Sequence, residues 1–175
     1  MSTIVILLLL FVFLLFIFAV LAYLIYTTYI EPGAVYYPTT KETSSEIVKL
    51  SGATNKDTIL DLGSGDGRIL IDFAKKGITG IGYEIDPILV LESRKQIKKE
   101  GLEKLVKIHL KSFWHADVNK ATIIVLYLFP HYMDRLQKVL EKSLTHDLIL
   151  ISNTYEFPHK KYYRTENKLL FYKFP

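Results

Sequence analysis

The sequence has no cysteine. That excludes disulfides, thiol nucleophiles and thiolate metal sites. Charge is missing from the first 30 residues, where no Lys, Arg, Asp or Glu precedes Glu31. Metal-ligand spacing is missing too: the histidines at 109, 115, 131, 146 and 159 form no H-E-x-x-H pattern, and no metal is expected. No internal repeat occurs, and no low-complexity segment beyond the leader. The formal net charge of +4 over 175 residues is too small to argue for a nucleic-acid partner, though it suits an acidic protein or an anionic membrane surface.

What is present begins with an apolar leader. From Ile4 to Tyr26 nothing is more polar than tyrosine. A helix of that length reaches roughly 35 Å, enough to cross a hydrocarbon core of about 30 Å. A cleaved signal peptide would carry a basic start and a shorter apolar stretch ending in small residues. A buried core helix rarely lacks charge for so long. Tyr23, Tyr26 and Tyr29 cluster at one end, as interfacial aromatics do. Lys41 and Lys49 follow the span and no basic residue precedes it, so the positive-inside rule puts the C-terminal part in the cytoplasm. The expected organisation is a single-pass transmembrane helix at 4–26, a connector at 27–42 and a folded domain at 43–175.

Within that domain, apolar runs alternate with helical patterns. Strands are expected at Thr58–Leu62, Ile78–Ile85, Leu105–Leu110, Ala121–Leu128 and Asp147–Ser152. Helices are expected from Thr43, capped with Glu46, to before Gly52, and at Arg68–Lys76. A further helix opens at Asp86-Pro87 and runs to Gly101, and another covers His131–Leu144. The tail, Tyr162–Phe174, alternates about a turn at Glu166-Asn167. This is the pattern of an α/β fold: a Rossmann-like doubly wound sheet, mostly parallel, with a C-terminal antiparallel hairpin. Ligands then belong at the carboxyl ends of the strands.

The informative stretch is Asp61-Leu62-Gly63-Ser64-Gly65-Asp66-Gly67-Arg68. A strand ends, glycines at alternate positions turn the chain, and a helix begins whose first amides point at the same spot. The spacing is G-x-G-x-G, not the G-x-G-x-x-G that seats a pyrophosphate. Glu84 stands at the end of the second strand, where a carboxylate can accept hydrogen bonds from ribose hydroxyls. The lysines at 95, 98 and 99 read as a solvated helix face, and Asn153-Thr154-Tyr155-Glu156 does not spell N-P-P-Y.

Asp61-x-Gly63-x-Gly65 with the later acid resembles the first two motifs of class I S-adenosylmethionine-dependent methyltransferases. Tyr37-Pro38-Thr39, Phe113-Trp114, Leu126-Tyr127-Leu128, the Met133…Leu136…Leu140 helix and Ser152-Asn153 narrow the likeness. Together they resemble the small protein-lysine methyltransferases, which include archaeal broad-specificity enzymes. They also resemble membrane-anchored relatives that modify the ATP synthase c-subunit and the adenine nucleotide translocase.

The resemblance covers about residues 34–175. It implies that S-adenosylmethionine is held by Asp61, Gly63, Ser64, Gly65, Asp66, Gly67, Glu84, Ser112 and Phe113. Ser112 stands where the family usually has an adenine-contacting aspartate, so the charge assistance there is gone. Tyr36, Tyr37, Tyr127 and Phe129 are candidates for a substrate channel. In the resembling family the segments around Tyr37 and Tyr127 face the active site. No general base is assigned. The expected acceptor is a lysine of a membrane-associated protein. A lipid or hydrophobic small-molecule acceptor stays open, as does a non-catalytic assembly factor.

Overall fold

The computed structural model describes residues 3–25 and 37–174. The chain divides into two compact units, Met1–Gly33 and Ala34–Pro175. The first contains helix α1 (Thr3–Ile25), 23 residues with none buried against protein. A segment whose side chains offer the backbone no partners satisfies its amides and carbonyls internally, which a helix does within one segment. By length and composition α1 could cross a membrane. Tyr26, Tyr29, Tyr36 and connector residues 27–36 lie outside the described residues.

The second unit opens with α2 (Lys41–Leu50). It starts before the expected Thr43, because the Thr40 hydroxyl accepts from the Thr43 amide at 3.2 Å and caps the helix earlier. Glu46 does not complete a capping box; it accepts from Asn167 at 2.9 Å. There follow β1 (Thr58–Leu62), α3 (Arg68–Ala74), β2 (Thr79–Glu84), α4 (Pro87–Lys99), β3 (Val106–Leu110) and β4 (Ile123–Leu126). The chain ends in α5 (Pro130–Ser143), β5 (Leu148–Asn153), β6 (Arg164–Glu166) and β7 (Leu169–Phe174). The opening of α4 is as expected: Asp86 accepts from the amides of Ile88 and Leu89 at 2.8 and 3.4 Å, with proline in the first turn.

The sheet order is β3-β2-β1-β4-β5-β7-β6. The pairs from β3 through β5 are parallel, and β7 is antiparallel to both β5 and β6. The hairpin turn falls on Asn167-Lys168, one residue later than expected, with φ of 49° and 68°. Two successive left-handed residues are what a tight two-residue hairpin requires.

Strand alternation splits the core in two. Leu60, Leu62, Ile124, Leu126 and Tyr172 face α5, whose Met133, Leu136 and Leu140 are buried with them. Ile59, Val125, Ile151 and Phe171 face the other side, with Ile47, Leu70, Phe73, Val90 and Ile97 from α2, α3 and α4. β4 is buried at every position, as a central parallel strand with both faces covered must be.

Candidate active site

At the carboxyl end of β1 the chain turns sharply. Gly63, Gly65 and Gly67 take φ of 89°, 53° and 79°, a region that side-chain-bearing residues rarely enter. The amides of Gly63 and Ser64 both donate to the Tyr83 carbonyl at 3.0 Å, which pins the loop onto β2. The fit is close. A Cβ at Gly82 would meet the Ser64 hydroxyl at 2.6 Å and Ile108 at 2.7 Å. The Ser64 hydroxyl is buried without a hydrogen-bond partner. It lies against β2, so the part of Ser64 free to face a ligand is its backbone.

The Glu84 carboxylate closes this loop from the neighbouring strand. One oxygen accepts from Gly65 N at 2.8 Å, the other from Ile85 N at 2.7 Å and Asp86 N at 2.9 Å. The oxygen facing Gly65 has one lone-pair direction left for a hydroxyl donor. This fits a ribose-bearing ligand laid across the glycine turn.

Asp61 sits beneath, 3% exposed. Burial, then the nearby charges of Glu84 and Asp66, push its carboxyl up to about 8, so it is largely protonated at neutral pH. Asp66 turns outward to Arg68, whose Nε donates to both its oxygens at 2.9 and 3.0 Å. The same guanidinium donates from Nη1 to the Thr39 carbonyl at 2.6 Å. The segment entering α2 is thus fastened to the glycine turn.

Past β3, Ser112 and Phe113 are both buried, at the start of a short 3-10 turn. Phe113 meets Tyr132 edge-on at 5.9 Å, and Arg135 lies 4.1 Å above Trp114. The Tyr132 contact fixes Phe113 just past the end of β3, the strand paired with β2.

Across β1 and β4, Leu62 pairs with Leu126, and Leu126 with Ser152. Gly63, Tyr127 and Asn153 are the next residues of the three segments. Tyr127 therefore stands beside the glycine turn, and a Cβ at Gly63 would lie 3.6 Å from Leu128. Tyr37 meets the Tyr127 ring edge-on at 5.9 Å. Desolvation, then Tyr155, raises the Tyr127 hydroxyl's pKa, against a hydrogen bond with Thr154.

Sequence reasoning passed over Tyr155. Its ring stacks on Tyr127 at 6.0 Å and reaches Phe129 at 5.8 Å. It is aimed by Thr154, which takes φ of 74°, strained for a β-branched residue. A tyrosine just past a strand end was the available signal. The Arg68–Thr39 bond was also missed, since no local pattern announces it. His115 and His131 are exposed, and among the described residues no side-chain group could hold a metal ion.

Comparison with known proteins gives this arrangement a lineage. The human lysine N-methyltransferase of the ATP synthase c-subunit is 35% identical over 124 residues, covering 71% of this chain and 53% of that protein. A protein-lysine N-methyltransferase of Saccharolobus islandicus is 28% identical over 127 residues, covering 71% of this chain and 79% of that protein. The chain spans about half the length of the human relative. A crystal structure of an RNA methyltransferase from Salinibacter ruber, in complex with S-adenosyl-L-homocysteine, superimposes with a TM-score of 0.73 at 32% identity. That match covers 79% of this chain and 92% of the other. The family described as ANTKMT methyltransferase domain matches residues 61–164. The chain belongs to this methyltransferase family.

Proposed function

We propose that this protein transfers a methyl group from S-adenosylmethionine to the amine of a protein lysine, working from a membrane to which α1 tethers it. The observation that carries the reading is the adjacency of the glycine turn to Tyr127 and Tyr37 at the tops of β1 and β4. A cosubstrate cradle and an aromatic wall share one rim. S-adenosylmethionine, when bound, supplies an electrophilic methyl on a positively charged sulfonium.

The chain's own residues supply position and desolvation. The turn at Gly63, Ser64, Gly65, Asp66 and Gly67 would hold the cosubstrate through its backbone, and Glu84 would accept from the sugar. Ser112 and Phe113 would border the base. Asp61, buried and protonated, lies where a cationic ligand group would draw it toward ionisation. A lysine amine has a pKa near 10.4 and attacks only when neutral. Tyr127 and Tyr155, half-buried, with Tyr37 at the exposed rim, limit water around it and favour that neutral form. Alignment of donor and acceptor supplies much of the acceleration in such displacements, and a general base is not required by this reading.

The tether raises the concentration of acceptors in the same bilayer. A single span over residues 4–26 and a cytoplasmic domain from residue 43 are supported by the uncharged leader and by Lys41 and Lys49 beyond it.

The name of the Salinibacter ruber neighbour favours a second reading, an RNA acceptor. One experiment separates the readings. The full chain is incubated with methyl-labelled S-adenosylmethionine and, separately, membrane proteins, total RNA and extracted lipid. Label on protein lysines, located by mass spectrometry, is expected. Label confined to RNA or lipid would move the acceptor, and no label with no cosubstrate binding would remove the enzyme reading.

A further inference from the structure

Outside α1, Ile88 at 73% and Leu91 at 71% are the most exposed large hydrophobic side chains among the described residues. Both lie on the opening turns of α4, whose inward side is already filled by Leu89, Val90, Ser93 and Ile97. At roughly 100° per residue, Ile88 and Leu91 share one outward arc of about 100° with Lys95, Lys98 and Lys99. That arc contains no carboxylate; Glu92 lies beyond its border, on the side facing Lys75. The helix is therefore apolar on two opposite sides, and its outer side grades from aliphatic to cationic.

A third exposed aliphatic group lies at the end of the strand against which α4 packs. Leu110, 53% exposed, ends the edge strand β3 and pairs with Glu84, four residues before Ile88. It lies on the same face of β3 as Val106 and Ile108, which pack toward α4. Arg94 spans the seam, donating to the Ile108 carbonyl at 2.7 Å, and Lys111 follows directly with its amide on the Glu84 carbonyl at 2.9 Å.

Scattered exposed leucines are ordinary, but two aliphatic groups one turn apart on a helix face that continues into a run of cations, beside a strand that ends in a third, match a particular kind of partner. RNA is a poor match, since single-stranded bases are held by aromatic stacking and this tip is aliphatic. A bilayer interface suits both parts. Aliphatic groups enter the headgroup and acyl boundary while lysines reach the phosphates on flexible stems.

We propose that this face of α4 and β3 docks on an anionic lipid surface, with Ile88, Leu91 and Leu110 inserted and Lys95, Lys98 and Lys99 pairing with headgroups. Each lysine near such a surface strengthens binding roughly fivefold. Leu110 pairs with Glu84 and Ile88 follows it by four residues, so docking brings the rim of the crevice to the bilayer. The acceptor is then a lysine presented at the membrane surface. The inference rests on the tethered reading for its source of bilayer, not for the chemistry of the patch.

The absence of cysteine makes the test direct. The full-length Leu91→Cys chain, carrying an environment-sensitive fluorophore, is placed in nanodiscs of phosphatidylcholine, alone or mixed with phosphatidylserine. A blue shift and quenching by brominated lipid are expected in the anionic discs, several-fold weaker in the neutral ones. Lys95→Glu, Lys98→Glu and Lys99→Glu together should abolish both signals. A Lys142→Cys probe, on exposed α5 surface, should stay in water throughout.

A Leu91 probe equally water-exposed on both lipids, or indifferent to the charge reversals, overturns docking. So does a shift produced by added RNA or protein and not by lipid. The tether is read separately: extraction of the chain from membranes by alkaline carbonate would remove the span. The labelled chain added to preformed vesicles of the same lipids would still report on the patch.

Discussion

The Nη1 of Arg68 donates to the carbonyl of Thr39 at 2.6 Å, while the rest of the same guanidinium grips Asp66. Tyr37, two residues upstream of Thr39, carries the ring that meets Tyr127. One side chain thus spans the interval between the glycine turn and the Tyr37–Tyr127 pair. A planar fork can serve two acceptors at once, and an ammonium cannot reproduce that geometry.

Arg68→Lys is therefore expected to fold and to bind S-adenosylmethionine within a few-fold of the parent. Its KM for the protein acceptor should rise, on the order of tenfold, as Tyr37 loses its mooring. Steady-state kinetics with each substrate varied in turn measures this. Equal losses for both substrates would place Arg68 in cosubstrate binding instead.

Glu84→Gln keeps the shape but replaces an acceptor with a donor, opposite the amide of Gly65 or those of Ile85 and Asp86. At least one buried amide loses its partner. The cost is about 1–3 kcal/mol of stability. Cosubstrate affinity should fall further, on the order of a hundredfold, because the loop and the sugar contact are disturbed together. Calorimetric titration and thermal melting check the two effects independently.

Asp61 makes stability depend on pH. Its folded pKa of about 8 lies above that of an unfolded aspartate, so the native state holds a proton that the unfolded chain releases. The associated stability is full in acid, below the unfolded value of about 3.9. It declines as pH rises and levels off past pH 8. Asp61→Asn should flatten this slope and raise Tm at neutral pH by several degrees, while weakening cosubstrate binding. In the parent, cationic S-adenosylmethionine should drive a proton off Asp61 on binding, so affinity rises with pH up to about 8. Titration in buffers of different ionisation enthalpy detects the released proton.

Ser112→Asp offers a gain. The buried hydroxyl at the start of the 3-10 turn would become a carboxylate able to make a charge-assisted bond to an adenine amine. Cosubstrate binding should tighten on the order of tenfold by equilibrium titration. An unchanged affinity would mean that the base is held by Phe113 and backbone groups alone.

Thr154→Gly should relieve the left-handed strain and stabilise the fold by roughly 1 kcal/mol. It also frees Tyr155 and removes the hydrogen bond to the Tyr127 hydroxyl. A raised Tm accompanied by a lower kcat is the expected pair of outcomes.

Features that depend on neighbours in sequence could be read in advance. The glycine turn after Asp61, the acid ending β2 and the Asp86-Pro87 helix opening are each fixed by a few adjacent residues, and each stands where it was expected. Contacts that depend on chain separation could not. Arg68 reaches Thr39 across 29 residues, and Tyr127 meets Tyr155 across a helix and a strand. The start of α2 failed for a different reason. Two threonines competed to cap it, and Thr40 comes first in the chain. The insertion of β7 between β5 and β6 reflects long-range register, which alternation alone does not encode.

The bare α-carbon of Gly82 has a mechanical consequence. It sets how low the glycine turn can settle, since the Ser64 side chain rests directly on it. One methyl group there would act as a wedge, lifting the whole turn off its supporting strand. The depth of the crevice is thus governed from underneath, by the width of a single hydrogen atom.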